Sequence, residues 1–152
     1  MLYLLIIILL VAIDQIIKYW AYTYLQVIGS IPVTSWFHLT YLENRGAAFG
    51  IMYGARWFLV AITVVILAYL FIFFNRTPHT GLNKYLRWSI VLIVAGAIGN
   101  FIDRMLQGFV IDYLQVTFIN FPIFNFADIL IVIGALGFGI LSFIIKEEPV
   151  AK

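Results

Sequence analysis

The sequence contains no cysteine, and Asp, Glu, Lys and Arg together make up only 11% of its 152 residues. Without cysteine the chain can form no disulfide, no thiolate metal site and no cysteine nucleophile. The charged fraction is less than half of the roughly 25% that soluble globular domains carry. The nine Lys and Arg residues form no cluster, which argues against a nucleic-acid partner. Water is therefore not the main solvent of this protein.

Apolar residues fill 64% of the sequence, and most of them lie in four long runs. Each run approaches the roughly 20 residues that a helix needs to cross a bilayer core, and backbone groups in lipid must be paired within the helix. The runs are 2–24, 57–74, 86–105 and 126–145. The sequence thus predicts a membrane all-α fold, a four-transmembrane-helix bundle in one integral membrane domain, 1–152. Its apolar start lacks the basic region and cleavage site of a signal peptide, so we interpret it as a retained helix.

Small residues on the third and fourth predicted helices suggest where helices approach closely. In lipid, such residues let two backbones come together. We interpret six positions as packing surfaces: Gly96, Gly99, Gly134, Ala135, Gly137 and Gly139.

The Lys and Arg residues of the short loops predict the orientation of the bundle. Both termini share a side with the loop between helices two and three, and that side holds Arg76, Lys84, Arg87, Lys146 and Lys152. The other side holds Lys18, Arg45, Arg56 and Arg104. The positive-inside rule therefore places both termini in the cytoplasm. The outer half then contains five of the acidic residues: Asp14, Glu43, Asp103, Asp112 and Asp128.

Two groups of polar residues lie on single helix faces. Asp14 and Lys18 are spaced i, i+4, so their charges can partly neutralise each other. Asn100, Asp103 and Arg104 share a face near the outer end of helix three. The Asp14–Lys18 pair can lock helices or take part in catalysis, and the second group suits structural support or substrate contact.

Asp112 and Asp128 are the candidates for acid–base chemistry. Asp112 lies in the outer segment between helices three and four, and Asp128 lies at the start of helix four. Two carboxylates brought together near an apolar boundary cannot both ionise easily, so they share a proton and one pKa is raised. One ionised and one protonated carboxyl group are what general base and general acid catalysis require.

Asp128 also has a purely structural explanation. Asn125 can cap helix four, and a carboxylate in the first helical turn is stabilised by the helix dipole. Capping and catalysis are compatible, and the spacing leaves both open. The dipole favours an ionised Asp128, which is a hypothesis about where the shared proton lies.

Other hydrolytic sites find little support. No His-Glu-x-x-His motif is present, and His38 and His79 are predicted on opposite sides of the membrane. Ser89 and Ser142 lie toward the inner helix ends, away from the acidic residues, which argues against a Ser-His pair. The sequence predicts no metal and no other cofactor.

Residues 43–50 (Glu-Asn-Arg-Gly-Ala-Ala-Phe-Gly) join a polar start to small residues and one aromatic residue before helix two. Taken alone, this pattern predicts a turn with close backbone approach. It fits equally well a substrate-facing edge, because backbone groups beside small residues are open to pairing with an extended peptide.

Five motifs, in order along almost the whole chain, resemble those of the lipoprotein signal peptidases, also called signal peptidase II. They are Asp14 with Lys18, then residues 44–49 (Asn-Arg-Gly-Ala-Ala-Phe), 99–104 (Gly-Asn-Phe-Ile-Asp-Arg), 110–113 (Val-Ile-Asp-Tyr) and 124–128 (Phe-Asn-Phe-Ala-Asp). The departures are small. Tyr113 stands where Phe is common in that family, and Gly50 stands where Ser or another small residue is found.

The resemblance implies a membrane aspartyl endopeptidase of the bacterial cytoplasmic membrane. Such an enzyme removes the signal peptide of prolipoproteins before a diacylglyceryl-modified cysteine, without a metal, and binds globomycin-type inhibitors. It implies that Asp112 and Asp128 are catalytic, that five residues position substrate or dyad (Asn44, Gly46, Asn100, Arg104, Asn125), and that three give polar support (Asp14, Lys18, Asp103). It also implies a small extracytoplasmic β-cradle between helices one and two, within residues 25–53.

Two other functions fit the composition. A small proton- or ion-coupled transporter could use Asp14, Asp103 and Asp128 as a relay. Transporters place their ions near the midplane on broken, repeated helices, whereas these acids gather near one face and no repeat is visible. A membrane scaffold subunit would use its charges only to pair helices, and it predicts that Asp112→Asn leaves the activity of a larger complex intact.

Overall fold

The computed structural model describes residues 1–47 and 51–147, and four long helices dominate this part of the chain. They are α1 (Leu2–Trp20), α2 (Arg56–Arg76), α3 (Asn83–Leu106) and α4 (Phe126–Glu147). A π-helical turn (Ala21–Leu25) and a last α-helical turn (Gln26–Ile28) extend α1. All four helices are, by length and composition, apolar enough to cross a membrane. The prediction of four apolar helices is confirmed.

Apolar side chains cover the outside of the bundle, and the charged residues of α1 face its interior. The buried residues of α1 are Asp14 and Lys18, whereas Leu4, Leu5 and Ile8 on the same helix are exposed. Charged side chains in a membrane helix are expected to face the bundle interior, and apolar side chains are expected to face lipid. The burial pattern therefore identifies a multi-pass membrane protein.

Helix α3 is central, since it packs against α1, α2 and, most extensively, α4. Two glycines permit this approach. A Cβ atom at Gly96 would collide with the backbone carbonyl of Ala127, and one at Gly99 would collide with the carboxylate of Asp14. The packing interpretation is confirmed at these two positions.

The small residues of α4 divide into two groups. Gly134 and Gly137 lie against Ser89 of α3, so they pack as predicted. A Cβ atom at Gly139 would meet nothing within 4 Å, and Ala135 is exposed. The packing interpretation was wrong for Gly139 and Ala135, because both lie on a face of α4 that is exposed in the described part of the chain.

Gly96→Ala is expected to destabilise the bundle. The new methyl group would overlap the Ala127 carbonyl, and backbone cannot move aside as a flexible side chain can. Overpacking of this kind lowers the free energy of unfolding by about 1–3 kcal/mol. Thermal unfolding in detergent measures the loss. The matched control is Gly139→Ala, which gains helix propensity without a clash and should leave the melting temperature unchanged or slightly raised. Equal effects of the two substitutions would contradict the packing assignment.

A three-stranded antiparallel sheet lies at one end of the bundle, with strand order β1-β2-β3. Strands β1 (Ser30–Pro32) and β2 (Phe37–Asn44) come from the segment between α1 and α2, while β3 (Val110–Val116) comes from the segment between α3 and α4. The prediction of a β-structure confined to residues 25–53 was therefore incomplete. An isolated hairpin is only marginally stable, and the third strand completes the sheet.

A β-bulge sets the faces of the sheet beside Asp112. Leu39 pairs with Leu114 and Leu42 pairs with Asp112, so two residues of β2 lie opposite the single Tyr113. A bulge shifts the side-chain alternation of the strand that carries it. It places Leu42 on the same face as Asp112.

The opposite face of β3 anchors the sheet to α1. Ile111 and Tyr113 are buried there against Ala21 and Leu25. Both partners belong to the π-helical turn, an irregularity often found at functional sites. This apolar contact fixes the distance between β3 and α1.

At the other end of the bundle, Arg87 is buried, with 4% of its surface exposed. Its Nη1 donates hydrogen bonds to the carbonyl oxygens of Phe74 (2.7 Å) and Thr77 (2.5 Å) at the C-terminal end of α2. Its guanidinium lies 3.7 Å from the ring centroid of Phe74 and 5.2 Å from that of Tyr3. Arg87 thus joins α1, α2 and α3 far from the sheet.

Candidate active site

Asp112 lies on β3 and is 1% exposed. Its two carboxylate oxygens accept hydrogen bonds from different amides. Asn44 Nδ2 donates to Oδ2 over 2.8 Å, and Asn125 Nδ2 donates to Oδ1 over 2.6 Å. Asn44 is held in turn, because its Oδ1 accepts a hydrogen bond from the backbone N–H of Gly46 (3.0 Å). This Asx turn orients the Asn44 amide toward Asp112.

Asp128 lies in the first turn of α4, where it forms a reciprocal cap with Asn125. The backbone N–H of Asp128 donates to Asn125 Oδ1 over 2.9 Å, and the backbone N–H of Asn125 donates to Asp128 Oδ2 over 3.1 Å. This arrangement is a capping box. Asn100 Nδ2 donates a hydrogen bond to the other carboxylate oxygen, Asp128 Oδ1, over 2.8 Å. Asp128 therefore caps α4 and, through Asn125, is also linked to Asp112.

The orientation of each asparagine amide follows from the hydrogen-bond network. Asn125 Oδ1 faces a backbone N–H, so its Nδ2 must point toward Asp112 Oδ1 and Asn100 Oδ1. Asn100 Oδ1 also accepts from Lys18 Nζ over 2.8 Å, which leaves its Nδ2 for Asp128. All four oxygens of the two aspartates thus receive an N–H donor of fixed direction.

The environment of Asp112 favours its protonated form. Burial, and then the negative charge of Asp128, raise the pKa of Asp112 to about 7. The hydrogen bonds from Asn44 and Asn125 and the charge of Lys18 act in the opposite direction but do not cancel the effect. Burial and a nearby like charge are the two standard ways of raising a carboxyl pKa. Asp112 can therefore hold a proton near neutral pH.

Both aspartates line a cleft of about 970 Å³. Its polar end is formed by the aspartates with Asn44, Asn100 and Arg104. Its remaining walls come from β2, residues 120–124 and the apolar side chains of α4, among them Val132 and Ile133. These two side chains are 56% and 54% exposed on the outside of the bundle, so the cleft extends to the lipid-facing surface.

Arg104 supplies positive charge beside the aspartates. Its Nη2 donates to the carbonyl oxygen of Gly46 over 3.1 Å. Its guanidinium interacts electrostatically with three carboxylates, most strongly with Asp128, less with Asp112 and least with Asp103. Gly46 is buried at this contact. Ala48 and Phe49, the end of the predicted motif, and Gly50 lie outside the described residues.

Asp14, Lys18 and Asp103 lie behind the cleft and do not line it. Lys18 Nζ is 2.9 Å from a carboxylate oxygen of Asp14 and 2.9 Å from one of Asp103. Gln15 completes the group, because its Nε2 donates to both carboxylates and to the Gly99 carbonyl oxygen. The sequence motifs left out Gln15, which interrupts the apolar run of α1. Its position next to Asp14 in that run was the available signal.

Tyr113 is a second residue whose role the sequence did not indicate. Its hydroxyl oxygen accepts a hydrogen bond from the backbone N–H of Phe126 over 3.2 Å, at the start of α4. Burial raises the pKa of Tyr113 far above its ordinary value, so the hydroxyl stays neutral. Tyr113 thus adds a cap from β3 to the helix that carries Asp128.

The described residues contain no group of three His, Asp or Glu side chains that could hold a metal ion. A buried carboxyl group with a raised pKa, next to a second carboxylate that receives fixed hydrogen bonds, matches the general acid and general base of an aspartyl hydrolase.

Comparison with known proteins identifies the family. The family model described as signal peptidase (SPase) II matches residues 6–144. Proteins named lipoprotein signal peptidase are similar over most of their length. Those of Streptococcus pyogenes serotype M6, Halothermothrix orenii and Clostridioides difficile are 40%, 43% and 41% identical to this chain. The matches cover 89%, 86% and 90% of this chain and 88%, 87% and 90% of the relatives.

Solved structures agree with this result. A bacterial membrane enzyme determined by the in meso method at 2.3 Å resolution is 34% identical, with a TM-score of 0.88 over 99% of this chain and 92% of its own. A second bacterial membrane enzyme, determined at 1.9 Å resolution, is 36% identical. Its TM-score is 0.78, and the match covers 97% of this chain and 94% of that one. The comparisons give no support to the transporter alternative. The chain belongs to the signal peptidase II family.

Proposed function

We propose that this protein is a membrane aspartyl endopeptidase that removes the signal peptide from diacylglyceryl-modified prolipoproteins, cutting before the lipidated cysteine. The relatives named lipoprotein signal peptidase support the substrate class. The observation that carries the proposal is the cleft, which has two paired carboxyl groups at its polar end and an apolar wall that extends to lipid. A peptide bond next to a lipid anchor fits both ends of that cleft.

In this proposal Asp112 and Asp128 are the catalytic residues. Asp128, ionised, takes a proton from water while the water oxygen bonds to the scissile carbonyl carbon, and Asp112 gives its proton to the carbonyl oxygen. The carbon–nitrogen bond then breaks. The leaving nitrogen receives the proton from Asp128, and Asp112 recovers its proton from a hydroxyl group of the intermediate. Each carboxyl group thus ends in its starting state.

Five neighbours are proposed to position the dyad or the substrate: Asn44, Gly46, Asn100, Arg104 and Asn125. The hydrogen bonds from the three asparagines to the aspartates support this role. Arg104 offers a guanidinium for a substrate carbonyl or for charge that develops during the reaction. A globomycin-type inhibitor would occupy the same cleft.

We further propose that the cleft lies at the outer face of the bacterial cytoplasmic membrane, with both termini in the cytoplasm and the sheet as an extracytoplasmic cradle. The excess of Lys and Arg on the side of the termini supports this orientation. One of those residues, Lys152, lies outside the described residues. The fold places the sheet and the aspartates at the opposite end of the bundle from Arg87.

Cleavage by the wild-type protein should require the lipid. Purified protein in detergent is incubated with a prolipoprotein carrying diacylglycerol on its cysteine and with the same protein lacking it, and the loss of the signal peptide is followed by a gel shift. Only the lipidated form should be cut at an appreciable rate, because the acyl chains are needed to seat the peptide against the apolar wall. Equal cleavage of both forms would contradict the substrate assignment. Absence of cleavage by folded protein would refute the proposed function.

A further inference from the structure

We propose that Lys18 is a positioning residue that holds Asp112 and Asp128 at their working separation. The proposal rests on the proposed function and adds a residue that does not line the cleft. It follows from the partners of a single buried ammonium group, because each of those partners also contacts one of the catalytic segments.

The Lys18 ammonium group has three N–H donors, and three acceptors surround it. They are Asp14 Oδ2 at 2.9 Å, Asp103 Oδ2 at 2.9 Å and Asn100 Oδ1 at 2.8 Å. The residue is 1% exposed. A buried ammonium group with all its donors occupied defines a fixed point between α1 and α3.

Two of the three acceptors lead to Asp128. Asn100 bonds Asp128 directly through its Nδ2 (2.8 Å), and Lys18 helps to fix which end of that amide faces the carboxylate. Asp14 Oδ1 accepts the backbone N–H of Ala127 over 3.1 Å. Ala127 immediately precedes Asp128, so this contact ties the first turn of α4 to α1.

The third acceptor leads to Asp112. Asp103 Oδ2 accepts the backbone N–H of Ile111 over 3.2 Å, and Ile111 immediately precedes Asp112 on β3. The same oxygen is 2.9 Å from Lys18 Nζ. The Lys18 ammonium group is therefore linked through Asp103 to β3, which carries Asp112. It is linked through Asn100 and through Asp14 to the first turn of α4, which carries Asp128.

Such an arrangement predicts a loss of turnover without a loss of substrate affinity. Displacement of a reacting group by about 1 Å lowers an enzymatic rate about 100-fold, even when the substitution is far from the chemistry. Lys18 does not line the cleft and reaches it only through Asn100, so binding should change little. A purely structural ion pair would change only the amount of folded protein.

The test is steady-state cleavage of a lipidated prolipoprotein by wild type and Lys18→Gln, with rates expressed per folded molecule. We expect kcat to fall about 100-fold in the variant while KM changes less than about threefold. The matched control is Arg87→Gln, which removes another buried cation that joins helices, far from the aspartates. It should lower the melting temperature and leave kcat per folded molecule unchanged. An unchanged kcat in Lys18→Gln would overturn the proposal.

Removal of Lys18 alone leaves two buried carboxylates without a counter-ion, so a second variant covers the case in which Lys18→Gln does not fold. Lys18→Met combined with Asp14→Asn removes one positive and one negative charge and keeps the charge of the cluster. The same fall in kcat at unchanged KM is expected, and wild-type turnover would overturn the proposal. Failure of the wild-type protein to cleave would instead refute the proposed function, so the two failures are distinguishable.

Discussion

Asp112→Asn and Asp128→Asn should each lower the cleavage rate by at least about 10³-fold, because each removes one partner of the proton exchange. An asparagine can accept no proton from water at position 128 and can give none to the carbonyl oxygen at position 112. Initial rates with a lipidated prolipoprotein in detergent measure the effect. It should appear in kcat, since the neutral amide has nearly the size of the carboxyl group it replaces.

Folding of the two variants is checked by thermal unfolding. Both should remain folded with some loss of stability. The new amide oxygen still accepts a hydrogen bond from Asn44 at position 112, or from Asn100 at position 128, while the new NH2 group faces the donor that Asn125 supplies. Asn120→Ala is a suitable control for cleft substitutions. Asn120 is exposed and lines the cleft without contacting either carboxyl group in the described hydrogen bonds, so its loss should have a small effect. Substantial cleavage by either folded aspartate variant would exclude the dyad.

Cleavage should decline as pH rises through about 7. Burial and the charge of Asp128 raise the pKa of Asp112 to about 7, so the proton that polarises the substrate carbonyl is lost above that pH. Once the pH is well above the pKa, kcat/KM should fall about tenfold per pH unit. Burial also raises the pKa of Tyr41 to about 12 and keeps Tyr113 neutral, so neither tyrosine obscures this decline. A rate that stays constant to pH 9 would contradict the assignment of the proton to Asp112.

The same pKa also predicts a pH dependence of stability. A carboxyl group with an ordinary pKa of 3.8 and a folded-state pKa of about 7 stabilises the fold fully below pH 3.8. This contribution is lost as pH rises through about 7, and its full size is on the order of 4 kcal/mol. The difference in melting temperature between wild type and Asp112→Asn should therefore change with pH across this window. A difference that does not vary would contradict the raised pKa.

The helices were predictable from sequence because the constraint on them is simple. Backbone groups in lipid must bond within their own segment, so a long apolar run has one solution. The sheet was harder. Residues 110–116 (Val-Ile-Asp-Tyr-Leu-Gln-Val) are rich in β-formers, but their partner Asn44 lies more than sixty positions away. Strand pairing at such a distance leaves no local periodic signal.

The candidate site, like the fold, was only partly predictable from sequence. The motifs indicated the aspartates and the three asparagines. Carboxylate chemistry suggested an acid–base role for the aspartates, and family resemblance added the positioning role of the asparagines. Sequence could not indicate which acceptors Lys18 shares, because Asp103 and Asn100 reach it only after α1 and α3 have packed. The i, i+4 spacing identified its pairing with Asp14 and nothing more. Local spacing thus predicted the pair of Asp14 and Lys18. Helix packing adds Asp103 and Asn100 around the same ammonium group.

The ion pair within α1 also bears on how the chain is assembled during synthesis. Asp14 and Lys18 are one helical turn apart, so α1 can leave the ribosome and enter the bilayer as an electrically neutral segment. Its ammonium group still lacks two of its three acceptors at that moment, since Asp103 and Asn100 are encoded some eighty residues later. Arrival of α3 supplies both. The polar cluster around Lys18 is therefore complete only once the third helix has joined the first.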